Sequence, residues 1–317
     1  MSRLYIGVDT SNYTTSLALV DEDLRVLANL KRPLPVGEGE RGLRQSDAVF
    51  THTKHLPELW QELAPYLREG EIGGIGVSTR PRNLDGSYMP CFLAGVSSAA
   101  SAASALGVPL YRFSHQCGHL MAALLSSEQL RLADAPFAAY HLSGGTTELL
   151  LASPDGAGFS CEVVGGTRDI SAGQLIDRVG VALGLPFPAG AELERLALTF
   201  RGKAFRRRPR VIDCRVNLSG SENLAMKLYS ETGDPAAVAA FVFGHLEDAL
   251  IGMTDECFAV YGKRPLVCAG GVMSACALRS LMETRYGAAT ASPALSADNA
   301  VGIAALAARA DRGSRNV

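Results

Sequence analysis

Apolar and polar positions alternate along this chain in a pattern that is laid down once and then restarts. Leu4 to Asp9 is an apolar run, Thr10-Ser11-Asn12 supplies turn chemistry, and Thr15 to Val20 resumes with β-type residues. A third strand is predicted near 25–30, a helix over 48–67 and a short strand over 72–77. An uncharged stretch from Gly86 to Tyr111 then precedes a strand near 110–113 and a helix from His115 to Leu125. At Phe137–Leu142 the pattern begins again. Ser143-Gly144-Gly145 is the turn, and Thr146 to Leu151 resembles Thr14 to Leu19. Another strand is predicted near 159–164, with helices over 172–183, 192–198 and 235–260. Leu266–Cys268 then runs into Ala269-Gly270-Gly271, and a last helix spans 298–310.

A hairpin meander followed by alternating helix and strand, twice over, predicts α/β lobes of duplicated βββαβα design. The boundaries expected are 1–127 and 135–297, with a C-terminal helix over 298–312 packing back on the first lobe and residues 127–135 crossing over. Gly-turn hairpins also occur in unrelated β proteins, so the case rests on the whole repeated pattern. The uncharged stretch is long enough to span a bilayer, but Ala, Ser and Gly dominate it and Pro90 and Pro109 bracket it. A helix buried between layers and packed through small residues is expected, and no membrane partner.

Composition adds three limits. With 317 residues and 47% hydrophobic content the chain can bury a sizeable core. The 30 Lys+Arg and 32 Asp+Glu nearly cancel, which excludes a generally basic nucleic-acid binder while permitting a local patch. The 7 Cys contain no C-x-x-C pair and leave an odd thiol, as expected of reduced thiols in a cytoplasmic protein; no secretory signal is visible.

Three features could carry chemistry. In His115-Gln116-Cys117-Gly118-His119 the histidines stand four apart, so on a helix both imidazoles could face one ion, with a carboxylate from elsewhere completing the shell. The alternative is a pair of partly exposed histidines at a helix start. Gln116 stands where a zincin would carry its Glu base, which disfavours protease chemistry. The second feature is a set of small, hydroxyl-rich or glycine turns: Asp9-Thr10-Ser11, Ser143 to Thr147, and Ala269-Gly270-Gly271. Such turns expose backbone N–H groups to phosphate, and their matched placement suggests a nucleotide cleft between lobes. Ordinary hairpin turns are the alternative. The third is a basic run, Arg201, Lys203, Arg206, Arg207, Arg208, Arg210 and Arg215. It could meet an RNA backbone or be a solvated surface.

At these residues the chain resembles the TsaD/Gcp (glycoprotease-like) family over about 5–308. The most specific points are His115, His119, Ser143-Gly144-Gly145, the segment 169–178, and Asp298-Asn299. The resemblance implies the two-lobed actin-like ATPase (ASKHA) fold and transfer of a threonylcarbamoyl group from its adenylate to a tRNA adenosine. It implies one divalent metal, iron or zinc, held by His115, His119 and Asp298. It implies ATP or an adenylate bound by Ser11, Ser143, Gly144, Gly145, Thr146, Thr147, Asp177, Gly190, Gly270 and Gly271. Asp9 is the candidate for a catalytic carboxylate, and tRNA with TsaB- and TsaE-like proteins are the implied partners.

The departures are specific. Thr146 stands where the family has His, Asn12-Tyr13-Thr14 replaces Cys-Asp-Glu, and Asp9 replaces Glu. Arg80-Pro81-Arg82 replaces Gly-Pro-Gly, and Ala275 replaces a nucleotide-contacting Asn. They characterise a divergent paralogue. Two other readings follow: a non-catalytic regulatory protein binding nucleotide and metal, and a carbamoyltransferase acting on a small molecule. A sugar kinase of the same fold would have no use for the two histidines.

Overall fold

The computed structural model describes residues 2–35 and 43–315. The chain divides into two compact units, one of Met1–Ala135, Ser153–Cys161 and Ala294–Val317, the other of Pro136–Ala152 and Glu162–Pro293.

In the first unit β1 (Ser2–Thr10), β2 (Thr14–Asp21) and β3 (Val26–Pro33) form an antiparallel meander, because the 11–13 turn is short and the strands are nearly continuous apolar runs. After α1 (Gln45–Leu63), β4 (Gly70–Arg80) joins β1 in parallel. α2 (Phe92–Leu106) then leads to β5 (Leu110–Ser114), parallel to β4, and to α3 (His115–Ser126). The sheet order is β3-β2-β1-β4-β5.

The second unit begins with β6 (Phe137–Leu142), β7 (Thr147–Asp155) and β8 (Gly158–Thr167). α4 (Ala172–Ala182), α5 (Gly190–Thr199), β9 (Arg215–Val216), α6 (Ser219–Thr232) and α7 (Pro235–Tyr261) follow. β10 (Leu266–Ala269), α8 (Cys276–Tyr286) and β11 (Ala289–Thr290) complete it. Its sheet reads β9-β8-β7-β6-β10-β11, so apart from β9 it repeats the strand order of the first. The duplication therefore lies in topology as well as in hairpins. The chain closes with α9 (Pro293–Ser296) and α10 (Val301–Arg315).

Three expectations need correction. α2 is not buried on all sides: Phe92, Gly95, Ala99 and Ala103 form one buried stripe, while Leu93 and Leu106 are about half exposed. α6 was not anticipated, because it is largely polar and fully buries only Ser221 and Ala225. The last helix starts at Val301 rather than at 298, because the Asn299 side chain accepts from the Val301 N–H at 3.0 Å and ends the preceding turn. α7 is the one helix among the described residues long and apolar enough to cross a membrane, and it is largely buried as the core helix of the second unit. Six of the seven cysteines are buried and Cys276 is exposed.

Candidate metal centre

The constellation in the first unit is assembled by close backbone approach. α10 packs on β1, β4 and α3. A Cβ at Gly302 would sit 1.9 Å from the Gly118 carbonyl oxygen, and one at Gly7 would sit 2.2 Å from that of Ala300. Only glycine permits these contacts. Tyr5, Ala18 and Val20 bury their side chains with Ala300, Val301, Ala304 and Ala307, and the Tyr5 hydroxyl donates to Asp311 at 2.6 Å. This packing carries the turn that holds Asp298 to the start of α3. Asn299, buried, shapes that turn by donating from Nδ2 to the carbonyls of Leu295 and Ala297, both at 2.9 Å.

Ser114 caps α3 by accepting from the Cys117 N–H, and one helical turn separates His115 from His119. Their Nε2 atoms stand 3.0 Å apart, and Asp298 Oδ1 lies 3.6 Å from the first and 3.3 Å from the second. Three donors bonded to one ion at ~2.1 Å would stand about 3.0–3.4 Å apart along a tetrahedral or octahedral edge. Two of the three separations fall in that range and the His115–Asp298 pair, at 3.6 Å, stands slightly beyond it, so a small side-chain adjustment would let the set hold a borderline divalent ion such as iron or zinc.

The surroundings orient these donors. Asp9, fully buried, has Oδ1 2.8 Å from His115 Nδ1 and also accepts from the Ser78 hydroxyl. A carboxylate behind Nδ1–H fixes the tautomer that turns the Nε2 lone pair outward. The Asp9 Oδ2 is buried and has no hydrogen-bond partner among the described residues. Burial opposes charge on His115, but the Asp9 and Asp298 carboxylates outweigh it and push the imidazole up to about 10. Burial likewise opposes charge on Asp298, yet hydrogen bonds from the two imidazoles hold its carboxyl well below the usual carboxylate range. Ser11 donates to Asp298 Oδ2 at 2.9 Å.

Two expected roles change accordingly. Asp9 is sealed behind His115 and is placed to orient it rather than to take a proton from a substrate. Ser11 engages the carboxylate of the metal cluster instead of standing free for a phosphate.

A further layer was missed from sequence. His52 on α1 lies 2.9 Å from the Ser11 carbonyl through Nε2 and 2.8 Å from Thr15 Oγ1 through Nδ1, and Thr15 also meets His55 Nδ1 at 3.2 Å. A carbonyl only accepts, so His52 carries its proton on Nε2, Thr15 donates to its Nδ1, and His55 donates to Thr15. The available signal was a histidine on the same helical face as Leu56, Leu59 and Leu63.

In the second unit, the turn after β6 is built differently. Ser143 Oγ accepts from the Thr146 N–H at 3.1 Å, and the Ser143 N–H donates to the Thr146 carbonyl at 2.8 Å. The Ser171/Gln174 capping box starts α4, and Ser171 also donates to the Gly144 carbonyl at 2.7 Å. This S-x-x-Q box was legible in sequence and overlooked. Thr147 is buried and its hydroxyl oxygen accepts from the Ala172 N–H at 2.8 Å, which ties the start of β7 to α4. Gly144 and Gly145 are exposed with open space where a Cβ would lie.

Asp177 accepts from the Ala189 N–H at 2.8 Å, beside Gly190, where a Cβ would meet only ordinary contact; burial pushes the Asp177 carboxyl up. Gly270, at φ 99°, must be glycine because a Cβ would fall 2.3 Å from the Leu142 carbonyl oxygen, whereas Gly271 is open. Ala275 precedes α8 without a side-chain cap, and Glu194 instead accepts from the Ala277 N–H at 3.2 Å. The basic run is partly consumed: Arg206 bonds the Gly244 carbonyl and Glu247, and Arg208 stands 4.0 Å from Asp248. Arg207 and Arg210 are exposed.

A sequence model of the family described as TsaD, tRNA N6-adenosine threonylcarbamoyltransferase, matches residues 44–305. This chain belongs to that family. The tRNA N6-adenosine threonylcarbamoyltransferase of Streptococcus suis strain 05ZYH33 is 30% identical over 287 residues, covering 87% of this chain and 82% of its own. That of Pelobacter propionicus is 30% identical over 320 residues, covering 95% and 90%. Among solved structures, the activator of 2-hydroxyisocaproyl-CoA dehydratase from Clostridium difficile superposes with TM-score 0.55 at 14% identity, covering 99% of this chain and 97% of that one. Full-length HypF superposes with TM-score 0.59 at 11% identity, covering 98% of this chain and 46% of its own. These structural likenesses establish the actin-like ATPase fold alone. The family itself is one of transferases that modify tRNA.

Proposed function

We propose that this protein transfers a threonylcarbamoyl group from its adenylate to the N6 amine of a tRNA adenosine, with a divalent iron or zinc ion held by His115, His119 and Asp298. The observation that carries the reading is the convergence of three ligand atoms within 4.8 Å, with Asp9 behind His115, in a chain of the threonylcarbamoyltransferase family. When bound, the ion would supply Lewis acidity that stabilises negative charge on an oxygen of the transferred group.

The remaining work falls to the chain's own groups. Asp9, itself held by Ser78, keeps His115 in one orientation, and Ser11 holds Asp298, so the donors are largely oriented before loading. In the second unit, exposed Gly144 and Gly145 offer backbone amides to the phosphate of an adenine nucleotide, and Asp177 beside Gly190 offers an acceptor to its ribose. The attacking amine is weakly basic, so most of the rate would come from orientation.

The test is transfer of labelled threonylcarbamoyl from its adenylate to tRNA, with and without TsaB- and TsaE-like proteins, alongside metal content. Labelled tRNA that disappears with His119→Ala supports the reading. Absence of label under every condition, with metal and nucleotide still bound, overturns it.

A further inference from the structure

The first unit also contains a cavity of about 490 Å³, walled by the ends of β4 and β5, the first turn of α3 and residues 155–159. This falls within the ~300–1,000 Å³ typical of small-molecule sites. Two guanidiniums line it, Arg80 and Arg112, and neither has a carboxylate within 4.0 Å among the described residues. Asp155 also lines the wall, so the charged lining is two cations against one anion.

Arg80 is set in place rather than loose. Its guanidinium donates to Asn83 Oδ1, and Asn83 Nδ2 in turn donates to the Phe159 carbonyl at 3.1 Å. Ser114, buried on the same wall, accepts from the Cys117 N–H and so keeps its own proton to donate elsewhere. The N-terminal end of α3 adds its partial positive charge at that point. Tyr111 and Phe113, both half-buried, supply flat apolar surface.

Paired guanidiniums with a hydroxyl and a helix N-terminus suit a phosphate, which takes bidentate bonds from arginine. Aromatic faces beside them suit a base. We propose that this pocket is a second ligand site, which binds a nucleoside monophosphate unit through Arg80 and Arg112. That unit is either a free nucleotide or one residue of an RNA strand. Arg80 is one of the residues that replace the family's Gly-Pro-Gly, so the site belongs to this chain's divergence. It uses none of the metal-centre residues and stands independently of the reaction proposed above.

Calorimetry on the full chain with AMP, and separately with a short single-stranded RNA, tests it in the wild type, Arg80→Ala, Arg112→Ala and Arg112→Lys. Each alanine variant should weaken one binding event by about tenfold or more, as loss of a charge-assisted contact implies, with Arg112→Lys intermediate and thermal midpoints unchanged. An arginine-dependent AMP isotherm identifies a free nucleotide as ligand. Arginine dependence for RNA alone identifies a strand. Should the glycine-turn site not bind nucleotide, the AMP isotherm contains the arginine-dependent event alone instead of that event and a second, arginine-independent one. Folded variants that bind both probes as the wild type does, or a wild type that binds neither, overturn the proposal.

Discussion

The two units carry the same strand order, but their polar groups are spent differently. In the first, Asp9, Ser11, Ser78, Asn299 and His52 form a shell whose bonds converge on His115, His119 and Asp298. In the second, the Ser143 side chain closes the β6–β7 turn on itself, and Thr147 and Ser171 join that turn to α4. What remains there for a ligand is mostly backbone, at Gly144, Gly145 and Gly271. Metal ligation depends on side-chain identity, whereas phosphate can be held by amides that any sequence supplies. The departures at Tyr13, Thr146 and Ala275 leave the three donor side chains and the open Gly144 and Gly145 backbone in place.

The sharpest way to break this contrast is to remove a donor. Purified wild type should carry about one iron or zinc ion per chain, and Asp298→Ala should lose it, as elemental analysis reads directly. Asp9→Asn should keep the ion but bind it roughly 10–100-fold more weakly, because only the orienting partner of His115 changes. Metal affinity equal to wild type in Asp9→Asn would remove the buried carboxylate from the centre.

Backbone packing comes next. Gly302→Ala places a Cβ against the Gly118 carbonyl and should cost about 3 kcal/mol in denaturant unfolding, with weaker metal binding as α10 shifts. The same substitution at Gly144, where nothing lies within 4 Å, should change stability by less than about 0.5 kcal/mol. Equal costs at the two positions would contradict the distinction between a packed and an open site.

The third test uses pH. Burial, partly offset by the Ser11 carbonyl, pushes His52 down from 6.5 to about 4. The unfolded chain therefore binds this proton more readily than the folded one. Its contribution is complete above pH ~6.5 and is lost as pH falls through ~4, a difference of up to about 3 kcal/mol. His52→Gln should flatten the decline of the melting temperature between pH 7 and 4.5. A decline as steep as in the wild type would assign the acid sensitivity to other groups.

The smallest expected effect lies in the second unit. Ala275→Asn restores a side-chain amide before α8 and should tighten ATP binding by roughly fivefold, about 1 kcal/mol. No change in the calorimetric isotherm would show that Glu194, which already accepts from the Ala277 N–H, occupies the position instead.

Much of this was legible beforehand. Apolar runs and glycine turns outlined both meanders, and the spacing of His115 and His119 on a capped helix implied two imidazoles on one face. α6 escaped because a polar helix has little periodic contrast, and the Ser171/Gln174 box was readable but unread. Arg80 and Arg112 lie far apart in sequence, and no local pattern marks a cavity between them.

By itself, the order of residues determined the local elements, the duplicated design and the pair of histidines, since these depend on interactions within a few positions or on a repeated pattern. The fold alone decided that Asp298 meets those histidines and that Asp9 stands behind one of them. It also decided that Ser11 bonds the Asp298 carboxylate. Such outcomes rest on contacts between residues up to 287 positions apart, Ser11 with Asp298 being the longest at the centre. They exist only because glycines let α10 lie directly on the backbone of the sheet and of α3.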